Sequence, residues 1–216
     1  MSIQRILVVR ACAIGDFVLN LSALSALQKM HSYARFTLVG NPSALDLCRE
    51  FVDVESVQSI ETQPWSRLFY EPVGELEFDS AIVWMKDPTV AENLRLSGIS
   101  RVLRADPFPE YGHAADHLLR TLKLTRPALP DLWSPSLNDI VVHAGSGSSK
   151  KNWPYFEELM NRVAGCVHLR TDLALRDLSC YVRQCRAFIG NDSGITHLAA
   201  YLGCPTIALF GPTDPR

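Results

Sequence analysis

The sequence predicts an α/β fold made of two domains, each a parallel sheet with helices on its faces. Three observations carry that prediction. Short apolar runs rich in Val, Ile and Leu alternate with stretches whose apolar residues recur at helical spacing. The order strand, small-residue turn, helix opens the chain and starts again near residue 140. Between the two starts, prolines stand at 127, 130 and 135, the composition of an interdomain connection.

Taken in order, residues 6–9 form a buried-type strand, Ala-Cys-Ala-Ile-Gly-Asp a turn, and Phe17, Leu21, Leu24 and Leu27 the apolar stripe of a helix. Residues 36–39 are a second strand, stopped by Gly40-Asn41-Pro42. Strands at 81–85 and 102–103 flank a helix over 90–96, and a further helix covers 113–124. The first domain is expected to span residues 1–135. In the second, residues 136–216, strands near 140, 168, 188 and 207 alternate with helices over 155–163, 173–185 and 196–202. Such alternation points to parallel strands, because each crossover helix returns the chain to the same end of the sheet.

Composition narrows the function. With 47% hydrophobic and 20% charged residues, the 216-residue chain reads as globular and soluble. A formal net charge of -2 supplies no basic field for nucleic acid or anionic lipid. Up to Asn138 there are 13 Lys/Arg against 16 Asp/Glu, and beyond it 8 against 7, so an anionic ligand is expected on the second half. The four-residue apolar run at the start is too short for a signal peptide or a membrane anchor, and no later stretch is predicted to cross a bilayer. The six cysteines form no C-x-x-C pair and read as reduced thiols of a cytoplasmic protein.

Three turns could carry chemistry. Asp16, after Gly15, stands at the carboxyl end of a strand, where open α/β sheets bind ligands, although a carboxylate there also reads as a helix cap. His143-Ala-Gly-Ser-Gly-Ser-Ser-Lys-Lys-Asn-Trp-Pro154 offers small residues, Ser146 and Gly147 among them, that let backbone amides approach a phosphate. Lys150 and Lys151 add charge there, and Pro154 opens a helix. A solvated turn is the alternative, and neither a Walker loop nor G-x-G-x-x-G is present. In Gly190-Asn-Asp-Ser-Gly-Ile-Thr-His197, Asp192 and Ser193 can cap the next helix, and Gly194 lets an anion reach its free amides. Two such turns in one domain fit a diphosphate, and a tight capped turn is again the alternative. His113, Asp116 and His117 have metal-like spacing but no further ligand, and read as a solvated helix face; no metal and no cofactor are expected.

Together these motifs resemble glycosyltransferase family 9, the lipopolysaccharide heptosyltransferases. The opening strand with its Gly-Asp turn, the Lys-x-Trp-Pro loop, and Phe188-Ile-Gly-Asn-Asp-Ser-Gly-Ile-Thr-His through Phe-Gly-Pro-Thr-Asp-Pro carry the resemblance in that order. It implies a GT-B architecture: two Rossmann-like domains facing a cleft, with acceptor groups on the first and the nucleotide sugar on the second. By position, Asp16 would be the general base, and Lys151 would contact the diphosphate. Ser146, Gly147, Asp192, Ser193, Gly194 and His197 would line the donor site. The implied activity is inverting, metal-independent transfer of a sugar, heptose among the candidates, from a nucleotide-diphosphate donor, ADP-sugars included. The implied acceptor is a lipid-linked or oligosaccharide glycan at the inner face of the cytoplasmic membrane. Between residue 164 and Leu175 there is room for one short strand where the family has strand, helix and strand, so the second domain is expected to be reduced. A reduced, non-catalytic relative that binds nucleotide sugar or glycan as a partner subunit is the alternative.

Overall fold

The computed structural model of the chain describes residues 4–170 and 173–213, which fall into two units divided between Pro127 and Ala128. The Met1–Ile3 start and the end of the Phe-Gly-Pro-Thr-Asp-Pro motif lie outside the described residues. The first unit holds strands β1 (Gln4–Arg10), β2 (Ala34–Gly40), β3 (Val54–Ser59), β4 (Ser80–Trp84) and β5 (Val102–Ala105). They form one parallel sheet in the order β3-β2-β1-β4-β5. Ile6, Leu7, Val8 and Val9 of β1 are all buried, as a central parallel strand covered on both faces demands.

Helices α1 (Ile14–Val18) and α2 (Leu21–Met30) follow β1, α3 (Pro42–Leu45) follows β2, α4 (Thr89–Leu96) follows β4, and α5 (Ala114–Thr121) follows β5. Leu21, Leu24 and Leu27 of α2 are buried, and burial of each such side chain contributes about 1.5–3 kcal/mol. On α5, His113 caps the helix by accepting the Ala115 N–H, Asp116 pairs with Arg126 at 2.7 Å, and His117 Nε2 lies 2.7 Å from the Asp106 carbonyl. Each has its own structural partner, and among the described residues no group of three His, Cys, Asp or Glu is placed to hold a metal ion.

β3 is a strand that no apolar run in the sequence announces. Its sequence Val-Glu-Ser-Val-Gln-Ser is half-solvated, as befits an edge strand, and so lacks the apolar run that marks a buried one.

The second unit holds β6 (Ile140–His143), β7 (Cys166–His168), β8 (Ala187–Asn191) and β9 (Thr206–Leu209), parallel and in the order β7-β6-β8-β9. Its helices are α6 (Phe156–Arg162), α7 (Leu175–Gln184) and α8 (Gly194–Tyr201). Ile140, Val142, Phe156 and Ile189 form a core on one face of the sheet. Between α6 and α7, β7 is the single strand among the described residues, in keeping with a reduced second sheet.

The Pro-rich stretch is tied to this unit and does not run free. Leu132 N–H donates to Leu202 O, Ser134 N–H to Arg183 O, and the amides of Ser136 and Leu137 to Gln184 O. The Trp133 indole donates to Cys185 O at 2.8 Å.

Both sheets change direction at an identifiable place. In the first, the chain passes outward from β1 to β2 and β3, then returns to the far side of β1 as β4. In the second, it leaves β6 for β7 and returns as β8 on the other side. Ligands of open α/β sheets bind outside the carboxyl ends of strands at such switch points. Among the described residues no helix is long and apolar enough to cross a membrane.

Candidate functional site

His143 ends β6 and pairs in register with Gly190 of β8, so the loops after these two strands emerge side by side at the second sheet's switch point. Gly190 is needed there. A Cβ on it would sit 2.5 Å from Thr196 Oγ1 and 3.0 Å from the Phe188 ring, distances that no relaxation of one side chain cures. Thr196 Oγ1 in turn donates to Asn191 O at 2.6 Å, drawing the start of α8 onto the strand end.

Asn191 is fully buried and ties the two loops together. Its Nδ2 donates to Ala144 O at 2.7 Å, and its Oδ1 accepts the Trp153 N–H at 2.9 Å. Trp153 packs edge-on against Phe156 of the core, with ring centroids 5.2 Å apart. Between these anchors the loop makes one 3-10 turn, Ser149–Lys151. Ser146 Oγ lies 2.7 Å from both Ser148 O and Asn152 Oδ1, giving the loop internal bonds that a purely solvated turn would lack.

These restraints deliver Lys151 to Asp192. Lys151 Nζ lies 2.6 Å from Asp192 Oδ2, the Thr213 hydroxyl donates to the same oxygen at 2.9 Å, and His197 Nε2 lies 3.2 Å from Oδ1. The Asp192 side chain is 11% exposed. Burial alone would raise its proton affinity; the hydrogen bonds from Lys151 and Thr213, with the charges of Lys151 and His197, outweigh that and hold the carboxyl below its ordinary value. His143, by contrast, has its pKa lowered by burial.

Ser193 is the cap of α8, accepting the Thr196 N–H at 3.3 Å, and Gly194 is the first helical residue. Asp192 precedes the cap, its own N–H donating to Leu209 O. The start of α8, the positive end of its dipole, thus follows directly on the carboxylate that holds Lys151 and His197. Gly147 meets nothing within 4 Å of an added Cβ, so the protein itself does not demand glycine there. Nothing in the sequence marks Thr213 for this role, and the one signal for Asn191 is its place at the end of a buried strand.

Asp16 belongs to the first unit. Asp16 is not the cap residue of α1, because that position is held by Ala13, whose carbonyl accepts the Phe17 N–H at 3.1 Å. Asp16 falls inside the first turn of α1 and is half-buried. It stands just beyond the carboxyl end of β1, at the first sheet's switch point.

The motifs of the second unit coincide with a family match: residues 146–216 fit the model of glycosyltransferase family 9 (heptosyltransferase). A 73-residue stretch is 36% identical to lipooligosaccharide heptosyltransferase 2 of Haemophilus influenzae, covering 32% of this chain and 21% of that protein. The match thus spans about a fifth of that relative's length. In fold the likeness extends over nearly the whole chain. The E. coli heptosyltransferase WaaC with ADP superposes with a TM-score of 0.74 at 16% identity, over 98% of this chain and 89% of that one. The family 9 glycosyl transferase from Veillonella parvula superposes with a TM-score of 0.72 at 16% identity, over 100% and 83%. Within the stretch that fits the family model fall Ser146, Gly147, Lys151, Asp192, Ser193, Gly194 and His197; Asp16 lies outside it.

Proposed function

We propose that this protein is a glycosyltransferase that moves a sugar from a nucleotide-diphosphate donor to a glycan acceptor, without a metal ion and with inversion at the anomeric carbon. The observation that carries the reading is the meeting of Lys151, Asp192 and the start of α8 at the switch point of the second sheet, within the stretch that fits the family model. Cleavage of the anomeric C–O bond leaves negative charge on the nucleoside diphosphate. Lys151 and the oriented amides of α8 interact more strongly with that charge than with the ground state, which lowers the barrier. They do in this way what a divalent ion does in other transferases.

Asp16 is the proposed base. Its carboxylate takes the proton of the acceptor hydroxyl as the oxygen attacks the anomeric carbon opposite the departing diphosphate, and that in-line geometry inverts the centre. The similar WaaC structure is described with ADP, and the relatives are heptosyltransferases. An ADP-heptose is therefore the first donor to test. The acceptor is a lipopolysaccharide-type glycan met from the cytoplasm, at the membrane's inner face.

The test is a binding panel of ADP, UDP, GDP, CDP and dTDP with their sugars, by thermal shift in EDTA, followed by single-turnover transfer with the donors that bind. Binding of at least one nucleotide sugar, with its sugar appearing on a glycan, is expected. Failure of every nucleotide to bind would refute the reading; binding without transfer to any core-type glycan would reduce it to a nucleotide-sugar binder.

A further inference from the structure

Cys185 closes α7, and Cys204 stands in the turn between α8 and β9. Their Sγ atoms, 19 residues apart in the chain, lie 3.6 Å from each other, and the two residues are 0% and 4% exposed. A disulfide needs the sulfurs only about 1.5 Å closer. Backbone fixes both ends. Cys185 N–H donates to Tyr181 O in the last turn of α7, and Cys204 N–H donates to Ala199 O. Between α8 and Cys204, Gly203 takes a φ of +87°, the left-handed turn that glycine permits after a helix.

The Pro-rich stretch before β6 bonds to the same two places. Ser134 N–H reaches Arg183 O, the amides of Ser136 and Leu137 reach Gln184 O, and the Trp133 indole reaches Cys185 O. On the other side Leu132 N–H donates to Leu202 O, and a Cβ on Gly203 would lie 3.6 Å from Pro130 O and Asp131 Oδ1. The stretch is a strap across the end of α7 and the turn after α8, and the two thiols touch where those segments meet.

The surroundings give the two sulfurs different chemistry. A hydrogen bond from the Cys204 S–H, with the backbone amides of Cys185 and Ala187, holds the Cys185 thiol below its ordinary value against burial and the charge of Asp139. The same hydrogen bond, and then burial, pushes Cys204 up. The thiolate is the reactive form of cysteine, so Cys185 reacts first and Cys204 resolves it.

We propose that Cys185 and Cys204 are a redox site: hydrogen peroxide converts them to a disulfide that locks the end of α7 to the turn after α8, and the strap gates the reaction. The Cys185 thiolate attacks one peroxide oxygen, the O–O bond breaks, and the departing oxygen takes up a proton and leaves as water. Cys204 then gives up its proton and attacks the sulfenic sulfur. An S–S bond forms, and the S–O bond breaks to release a second water. Each sulfur loses one electron and the peroxide gains two. The closed loop carries β8, Asp192, Ser193 and α8, so the bond restrains the unfolded chain across the candidate site. The lock does not depend on the transferase reading.

The test treats the full chain with hydrogen peroxide, blocks the remaining thiols by alkylation and maps the peptides by mass spectrometry. A peptide pair joined through Cys185 and Cys204 and released by dithiothreitol is expected, with Cys12, Cys48, Cys166 and Cys180 unlinked. The oxidised protein should melt about 5 °C or more above the reduced one, a gain absent from Cys204→Ala. Trp133→Ala, which removes one bond of the strap, should form the disulfide about threefold faster or more. Treatment that leaves both thiols alkylatable, links either to another cysteine, or links the pair without raising the thermal midpoint would overturn the proposal. Linkage no faster in Trp133→Ala would overturn the strap's part in it.

Discussion

Lys151 and Asp192, 41 residues apart, are joined by an ion pair of 2.6 Å at the crossover of the second sheet. The carboxylate also holds Thr213 and His197, so it positions the lysine at the start of α8 while remaining ionised. Removing the lysine should therefore remove one charge-assisted contact to a diphosphate and leave the loop's backbone anchors in place. Lys151→Ala is expected to weaken nucleoside diphosphate binding by about 1–3 kcal/mol, measured by calorimetry in EDTA. Binding by the wild type that disappears with EDTA would place a metal between protein and phosphates and contradict the proposed role.

Asn191→Ala tests the loop anchors. Two backbone groups, Ala144 C=O and Trp153 N–H, would lose their partner beside a fully buried position. Each unsatisfied group costs about 1–3 kcal/mol, so urea unfolding should show a loss in that range or above. Hydrogen exchange at the Trp153 amide should rise well before global unfolding. A Trp153 amide as protected as in the wild type would show that the loop is held by something else.

Gly190→Ala should destabilise the second unit more than an exposed Gly→Ala change such as Gly147→Ala. The first places a methyl 2.5 Å from Thr196 Oγ1, whereas the second meets only open space. Thermal midpoints of the two variants, measured side by side, decide it.

Acid should weaken the fold through two groups of the second unit. The Asp192 carboxyl lies below its ordinary value of 3.8, so the native state binds fewer protons than the unfolded chain around that value. Its stabilisation is present above about pH 4 and is lost as pH falls through the native value. His143 lies below its ordinary 6.5 because burial disfavours the charged imidazole. The unfolded chain takes up that proton first, and stability falls as pH drops below about 6.5. His143→Gln should flatten the decline in urea midpoint between about pH 7 and pH 5, and Asp192→Asn the decline below about pH 4. Unchanged slopes in both variants would contradict these assignments.

Asp16→Asn separates turnover from binding. Asp16 is not the cap residue of α1, so stability should change by about 1 kcal/mol or less, and donor affinity should survive. Single-turnover transfer should fall by about a hundredfold or more, the usual contribution of a general base. Equal transfer by both proteins would remove Asp16 from the mechanism.

The sequence by itself determined the alternation of strands and helices, the two sheets, and the turns that carry Asp16, Lys151 and Asp192. These are properties of local period: buried strands read as apolar runs, helices as 3.6-residue stripes, and ligand turns as clusters of Gly and Ser between them. Tertiary structure alone decided what depends on strand order. Asn191 finds Ala144 and Trp153 across 47 and 38 residues because β6 and β8 are neighbours although β7 lies between them in the chain, and Thr213 reaches Asp192 across 21 because β9 pairs with β8. The half-solvated β3 became a strand only by pairing with β2, and the Pro-rich stretch joined the second unit through amides bonded to the end of α7 and to Leu202. Hydrogen-bond partners are chosen by spatial adjacency, and a one-dimensional pattern of apolar and polar residues records burial without recording which segment lies alongside.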